Sequence, residues 1–67
     1  MPKINLTAVR ANAEKTQEEW AQLLGVTKQT VCSWEAGKTC PDLAKVRRMS
    51  ELSGVPIDFI FVPDKAN

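Results

Sequence analysis

The sequence predicts an all-α fold, a compact bundle of about five short helices that forms a single domain over residues 1–67. Apolar residues recur at helical spacing in successive segments. Glycine and proline separate these segments, and no clear strand-like alternation precedes residue 55. A chain of this length buries only a limited core, so we expect well-capped helices, dense packing or a partner chain to stabilise it.

The first predicted helix spans about residues 6–13 and has an unusual inward face. The positions i, i+3, i+4 and i+7 place on one side Leu6, Val9, Arg10 and Ala13. Arg10 is therefore a charge on an otherwise apolar face, where it needs a partner.

Strong start and stop signals predict the next two helices. The Thr16 hydroxyl can accept from the amide of Glu19, whose carboxylate can reach back and complete a capping box. Gly25 ends this helix, because glycine adopts a left-handed conformation at little cost. Thr27 can cap the third helix. So short a turn forces the two helices to cross steeply, which predicts a central helix-turn-helix over about residues 16–35.

A fourth helix and an apolar segment complete the chain. The helix starts near Pro41 and Asp42 and closes at Gly54. Its apolar positions are Leu43, Val46, Met49 and Leu52. Residues 55–62 are almost wholly apolar and form either a short fifth helix or an extended tail.

The distribution of charge is more informative than the net charge of +1. Residues 1–50 hold eight Lys and Arg against five Asp and Glu, whereas residues 51–67 hold one against three. A basic body with an acidic end fits one surface that faces nucleic acid and another that is turned away. A chance asymmetry of a solvated surface fits the same numbers.

The composition argues against several other classes of protein. Two cysteines, Cys32 and Cys40, without any histidine cannot supply the four ligands of a zinc site, and we interpret both as reduced thiols of a cytoplasmic protein. The N-terminus lacks the apolar core of a signal peptide, and no apolar run is long enough to span a bilayer. Without a glycine-rich phosphate loop or a nucleophile–base pair, we expect no enzyme, cofactor, metal or small-molecule ligand.

One side of the predicted third helix suits the reading of DNA bases. An arc of about 140° on the helical wheel holds small or polar residues, namely Lys28, Gln29, Cys32, Ser33 and Ala36. Lys28 can donate to guanine and Gln29 can pair with adenine, while Ser33 and Cys32 are weaker candidates for base contacts. In the alternative interpretation Lys28 and Gln29 are plain solvated residues, and Cys32 is only small enough to permit entry into a groove.

The two central helices carry the pattern Gln17-x-x-Trp20-Ala21-x-x-x-Gly25-Val26-Thr27-x-x-Thr30-Val31-x-x-Trp34-Glu35-x-Gly37. This pattern resembles the helix-turn-helix signature of the Cro/repressor-type (lambda-repressor-like) phage and prophage regulators, and the resemblance extends over about residues 6–62. It implies a five-helix domain that binds a double-stranded DNA operator as a dimer and typically represses transcription. It also implies an ion pair between Arg10 and Glu35, although both side chains could instead reach the edge and stay solvated.

The chain departs from the family pattern in three places. Glu14 and Lys15 stand where the family usually has glycine and a hydrophobic residue, so either Glu14 tolerates a strained turn or that loop differs in shape. Pro56 replaces a frequent capping residue, and Trp20 replaces a more usual leucine. None of the three lies on the proposed reading side.

Further residues are expected to contact the DNA backbone. The resemblance assigns such a contact to Gln17, at a helix start whose free amides attract phosphate. Thr27 is expected to contact phosphate, and Thr30 either does so or leans inward. Lys38 and Thr39 follow the third helix and can grip phosphate as well, although Lys38 could equally be only solvated.

The C-terminal apolar segment is the best candidate for a homodimer contact. We expect Ile57 and Ile60 to pack onto the body of the domain and Phe59, Phe61 and Val62 to meet a partner chain. In the competing interpretation all five complete the core of the monomer.

The sequence thus predicts a cytoplasmic, sequence-specific regulator of transcription that resembles a Cro-like phage or prophage repressor, acting in a prokaryotic cell or a phage-infected host. The alternative is an antitoxin or anti-regulator that uses the same fold chiefly to bind protein. The two differ in salt dependence, because a protein binder should show little salt-dependent affinity for any duplex.

Overall fold

The computed structural model describes residues 3–62, which form four α-helices and one turn of 3-10 helix. The α-helices are α1 (Leu6–Asn12), α2 (Gln17–Leu24), α3 (Lys28–Glu35) and α4 (Leu43–Ser53), and the 3-10 turn is Ile57–Phe59. The all-α prediction is confirmed, with the fifth helix reduced to that single turn. The single domain predicted over residues 1–67 includes residues 1–2 and 63–67, which lie outside the described residues.

The predicted helix signals are present as hydrogen bonds. The Thr16 hydroxyl accepts from the amide of Glu19 at 3.1 Å, and the Glu19 carboxylate accepts from the amide of Thr16 at 2.9 Å. Gly25 ends α2 in the left-handed conformation with φ of 72°. Thr27 caps α3 by accepting from the amide of Thr30 at 3.1 Å. The boundaries of α2 and α3 therefore follow from local chemistry.

The core lies where α2 and α3 cross and where α1 and α4 close over them. Trp20 of α2 is 1% exposed and is among the largest fully buried side chains of the described residues. Trp34 of α3 is buried as well, so both indoles pack in the interior, where they cannot stack on a base. Ala21 of α2 is buried as well, so its small side chain lies in the core.

The C-terminal segment is helical at its start and extended at its end. After the 3-10 turn, Ile60 forms a parallel bridge with Ile4. The Ile4 amide donates to the Phe59 carbonyl at 2.7 Å, and the Phe61 amide donates to the Ile4 carbonyl at 2.8 Å. This pairing ties the two ends of the described chain together.

The bridge orients the side chains predicted at the dimer contact differently from our expectation. Side chains alternate along extended backbone, so Ile60 and Val62 face the body while Phe61 faces outward. Phe61 is 49% exposed, whereas Phe59 and Val62 are partly buried against the core. The expectation that Ile57 and Ile60 pack onto the body agrees with the structure, but Phe59 and Val62 largely join them there.

The turn between α1 and α2 keeps the left-handed conformation that the family usually builds with glycine. Glu14 has φ of 58°, so this residue tolerates the strained turn, one of the two alternatives that its sequence left open. The Arg10 guanidinium holds the turn by donating to the Lys15 carbonyl at 2.8 Å. The left-handed backbone conformation costs a residue other than glycine roughly 1–2 kcal/mol of folding free energy.

Replacing Glu14 with glycine should therefore stabilise the fold. We expect Glu14→Gly to raise the free energy of unfolding by about 0.5–1 kcal/mol, because relief of strain exceeds the added entropy of the unfolded chain. Urea denaturation followed by circular dichroism measures this. Glu14→Ala keeps the strain but removes the carboxylate, so it should leave the stability nearly unchanged. A gain of equal size in Glu14→Ala would assign the effect to charge.

Candidate nucleic-acid interface

An ion pair joins α1 to the end of α3. The Arg10 Nε donates to Glu35 Oε2 at 2.7 Å, and Arg10 Nη2 donates to Glu35 Oε1 at 3.3 Å. The side chains are 18% and 9% exposed respectively, so the pair is largely removed from water. Both charges that the sequence placed on inward faces thus meet each other.

The surroundings of Glu35 favour its ionised form. Burial opposes ionisation, but the hydrogen bonds from Arg10 and Gln17 and the positive charge of Arg10 outweigh it and hold the pKa of the Glu35 carboxyl below its ordinary value. The hydrogen bond with Glu35 in turn raises the pKa of the Arg10 guanidinium. The carboxylate therefore collects donors from both α1 and α2 and fixes the end of α3 against them.

Gln17 extends this network to the middle of α3. Its Nε2 donates to Glu35 Oε1 at 3.0 Å, and its Oε1 accepts from the Cys32 thiol at 3.1 Å. Gln17 and Cys32 are both half-buried. Gln17 was expected at a phosphate and Cys32 among the base contacts, and both expectations stay predictions for the DNA complex.

The other predicted contact residues lie around the outer side of α3. Lys28, Gln29, Thr27, Lys38 and Thr39 are exposed. Ser33 and Thr30 are half-buried, and the hydroxyls of Thr27 and Thr30 are 2.9 Å apart. Thr30 thus leans toward the helix start while Lys28 and Gln29 extend into solvent.

Three shallow depressions flank α3, and together they include all nine residues predicted to contact DNA. A depression of 410 Å³ is lined by Thr27, Gln29, Thr30, Ser33, Trp34 and Thr39. Another, of 390 Å³, lies at the start of α2 and is lined by Arg10, Thr16, Gln17, Glu18 and Lys28. A third, of 200 Å³, is lined by Gln29, Cys32, Ser33, Ala36 and Lys38. The helix therefore stands out as a ridge between open grooves.

The charge of this ridge is favourable to an anion. Between residues 26 and 40 the charged side chains are Lys28, Lys38 and Glu35. Because Arg10 neutralises Glu35 from inside the domain, the two lysines determine the charge of the outer side. The major groove of a duplex admits an α-helix, and two exposed lysines suit its phosphate backbone.

Two asparagines that were not predicted to matter stabilise the domain that carries this interface. Asn5 caps α1 by accepting from the amide of Ala8 at 2.8 Å, and an asparagine before an apolar helix start is a signal that could have been used. Asn12 joins α1 to the end of α4 through a 2.8 Å bond to the Ser53 carbonyl. No local pattern indicates that contact, because it spans 41 positions.

Other kinds of site are not seen in the described part of the chain. Residues 3–62 contain no cluster of acidic or cysteine side chains that could hold a metal ion, and Cys32 and Cys40 form no disulfide there. Within the same residues, no helix has the length and apolar character that a membrane crossing requires.

Comparisons with known proteins agree with this arrangement. A family model described as helix-turn-helix matches residues 6–60. An uncharacterized helix-turn-helix-type transcriptional regulator of Methanocaldococcus jannaschii is 38% identical over 60 residues, which cover 90% of this chain and 91% of the relative. A helix-turn-helix-type regulator of Bacillus subtilis, derived from the SPbeta prophage, is 34% identical over 55 residues, covering 82% of this chain and 51% of the relative. No solved structure matches the chain at a comparable level.

Removal of one partner of the ion pair should destabilise the domain strongly. We expect Arg10→Met or Glu35→Leu alone to lower the free energy of unfolding by about 2–3 kcal/mol, because the remaining charge is stranded in a largely buried position. The double variant should lose much less. The exposed pair of Arg48 and Glu51 supplies the control, since Arg48→Met should change stability by less than about 0.5 kcal/mol.

The dependence of stability on pH provides a second test of the ion pair between Arg10 and Glu35. The pKa of Glu35 lies below the ordinary 4.5 in the folded state, so the stabilisation is complete above that pH and disappears as the pH falls through the folded pKa. As the pH falls below about 5, the wild type should therefore lose more stability than the double variant. Small and equal losses in both single variants, with matching acid profiles, would contradict this assignment.

Proposed function

This chain belongs to the helix-turn-helix family of Cro/repressor-type transcriptional regulators, and from that membership we propose that α3 docks in the major groove of a double-stranded DNA operator and reads its sequence. Within that family we propose a Cro-like repressor of phage or prophage type. The prophage origin of the Bacillus subtilis relative supports this finer assignment. Such a regulator would act in the cytoplasm, where its operator lies.

The division of α3 into two sides is the observation that carries the proposal. Its inner side holds Val31, Trp34 and Glu35, which supply the packing and the ion pair. Its outer side presents Lys28 and Gln29 to solvent without any structural partner in the hydrogen bonds of the described residues. Folding therefore leaves the outer side chains available for a ligand with donors and acceptors, such as base edges.

The proposed contacts divide into two classes. Lys28, Gln29 and Ser33 read base edges, and Cys32 lies beside them as the smallest contributor. The backbone is held by Gln17, Thr27, Thr30, Lys38 and Thr39. Backbone contacts position the domain, whereas base contacts select the sequence.

Two substitutions should separate these classes. Gln29→Ala should cost about 1–3 kcal/mol on the operator selected from a random duplex pool and relax preference at one position. Lys38→Ala should weaken binding to all duplexes almost equally and lower the salt slope by about one unit. Fluorescence anisotropy at several salt concentrations measures both effects.

Two results would count against the proposal. An unchanged consensus in Gln29→Ala would remove Gln29 from the base contacts. Salt-independent or absent binding of the wild type to every duplex would instead favour the antitoxin or anti-regulator interpretation, in which the fold binds chiefly protein.

The domain should bind its operator as a homodimer. A single recognition helix reads only a few bases, and proteins of this architecture gain affinity by presenting two copies to half-sites about 34 Å apart. Phe61 is the most exposed of the residues expected at the partner, and the partly buried Phe59 and Val62 lie within two positions of it in the sequence. We propose that this C-terminal apolar edge meets its equivalent in a second copy.

Loss of the phenyl ring should weaken this pairing without unfolding the chain. We expect Phe61→Ser to remain folded, to bind the operator more weakly and to show a changed concentration dependence, because its side chain is outside the core. Sedimentation and anisotropy measure these effects. Leu43→Ser, which alters the more exposed Leu43 on α4, is the matched control. Unfolding of Phe61→Ser would favour the core interpretation, and a monomeric wild type even on DNA would contradict pairing.

A further inference from the structure

The indole N–H of Trp34 is a donor that the fold leaves without a partner. Trp34 is 6% exposed, yet within residues 3–62 its N–H donates to no acceptor. Every fully buried side-chain nitrogen of the same residues has a hydrogen-bond partner, so the indole nitrogen is not fully buried. The ring therefore packs in the core while its N–H edge reaches the surface. A buried indole N–H normally finds a partner, so this donor is open to a ligand.

Trp34 shares a surface depression with several hydroxyl groups. Of the three depressions beside α3, it lines the one of 410 Å³. Thr30 stands one turn earlier on the same stripe of the helix, and Thr27 lies at the start of that stripe. Ser33 and Thr39 add two further hydroxyls. No side chain that lines this depression is charged, and every polar one can donate a hydrogen bond.

The two threonine hydroxyls at the start of α3 hold one proton in reserve. The oxygens of Thr27 and Thr30 are 2.9 Å apart, so one hydroxyl donates to the other. The Thr27 oxygen also accepts from the amide of Thr30 at 3.1 Å. Two hydroxyls supply two protons, and the bond between them uses one. The second O–H can therefore donate to a group that enters the depression beside Trp34.

We propose that Trp34 is a DNA-binding residue whose indole N–H donates to a phosphate oxygen of the duplex backbone, next to the base that Gln29 reads. A phosphate oxygen only accepts and an indole N–H only donates, whereas the edges of base pairs present donors as well as acceptors. Gln29 lines the same depression, so one segment of a DNA strand can meet both residues. The proposal rests on the proposed function and adds Trp34 to its backbone contacts.

The burial of the ring makes this contact different from one made by a surface lysine. The core holds the indole of Trp34 in place, so its N–H has little side-chain freedom to lose on binding. A hydrogen bond to an anionic oxygen is also stronger than one between neutral groups. A phosphate bound here would fix the distance between the DNA backbone and the core of the domain, and with it the depth at which α3 enters the groove.

The first experiment removes the N–H and keeps an aromatic ring. We expect Trp34→Phe to weaken binding to the selected operator and to a scrambled duplex alike by about tenfold, the effect of losing one hydrogen bond to a charged group. Selection from a random pool should still return the wild-type consensus. Trp20→Phe is the matched control, because Trp20 lines none of the three depressions, and it should leave both affinities nearly unchanged. Circular dichroism establishes that each variant is folded.

Altered DNA identifies the acceptor. Each backbone phosphate of the operator is replaced in turn by a neutral methylphosphonate, and anisotropy is measured with the wild type and with Trp34→Phe. At the phosphate that Trp34 contacts, Trp34→Phe should cost almost nothing further, because both changes break the same bond. At the other phosphates the two losses should add.

An NMR measurement on the wild type does not depend on the stability of Trp34→Phe. In a chain with isotope-labelled tryptophan the two indoles give two N–H peaks, which either Trp→Phe variant assigns. The operator should move the Trp34 peak toward that of a hydrogen-bonded indole and slow its exchange with water. The operator with the methylphosphonate at the contacted position should reverse most of both changes.

Three results would overturn the inference. A Trp34 peak that stays in place on the operator would show that the N–H does not donate to DNA, and losses that add at every phosphate would show the same. A relaxed consensus in Trp34→Phe would make Trp34 a base contact instead. A wild type that binds no duplex would overturn the proposed function and the inference with it, whereas operator binding with an unmoved Trp34 peak overturns the inference alone.

Discussion

The partly buried carboxylate of Glu35 is the interaction on which the rest of the interface depends. An anion that is 9% exposed must be surrounded by donors, and α3 itself supplies none of those that reach it. They come from Arg10 on α1 and from Gln17 on α2. The electrostatic requirement of one side chain therefore brings three helices to one point and fixes the end of the recognition helix.

This arrangement lets folding and recognition use different sides of the same helix. The inner side of α3 supplies the core packing of Val31 and Trp34 and the ion pair of Glu35. Within residues 3–62, every fully buried side-chain nitrogen or oxygen atom has a hydrogen-bond partner. The outer side chains Lys28 and Gln29 are then unconstrained by stability, so a change of sequence preference need not disturb the fold. A domain with so small a core gains from that separation, because each lost internal contact is a large part of its total stability.

The need to close a small core also constrains the two ends of the described chain. The pairing of Ile4 with Ile60 closes the domain where α1 and α4 leave apolar surface, and it buries Ile60. Extended backbone at this point then directs Phe61 away from the body. An exposed phenyl ring is thus a geometric consequence of closing the core with a strand-like segment rather than a longer helix.

Local chemistry in the sequence determined the helices, their caps at Thr16 and Thr27 and the left-handed turn at Gly25, because these features depend on neighbours within a few residues. The helical period also placed Arg10 and Glu35 on inward faces. Only the tertiary structure decided that Gln17 and Cys32 bond to each other and that Phe61, rather than Phe59 or Val62, is exposed. Those outcomes depend on distances between elements far apart in sequence, which no local period encodes.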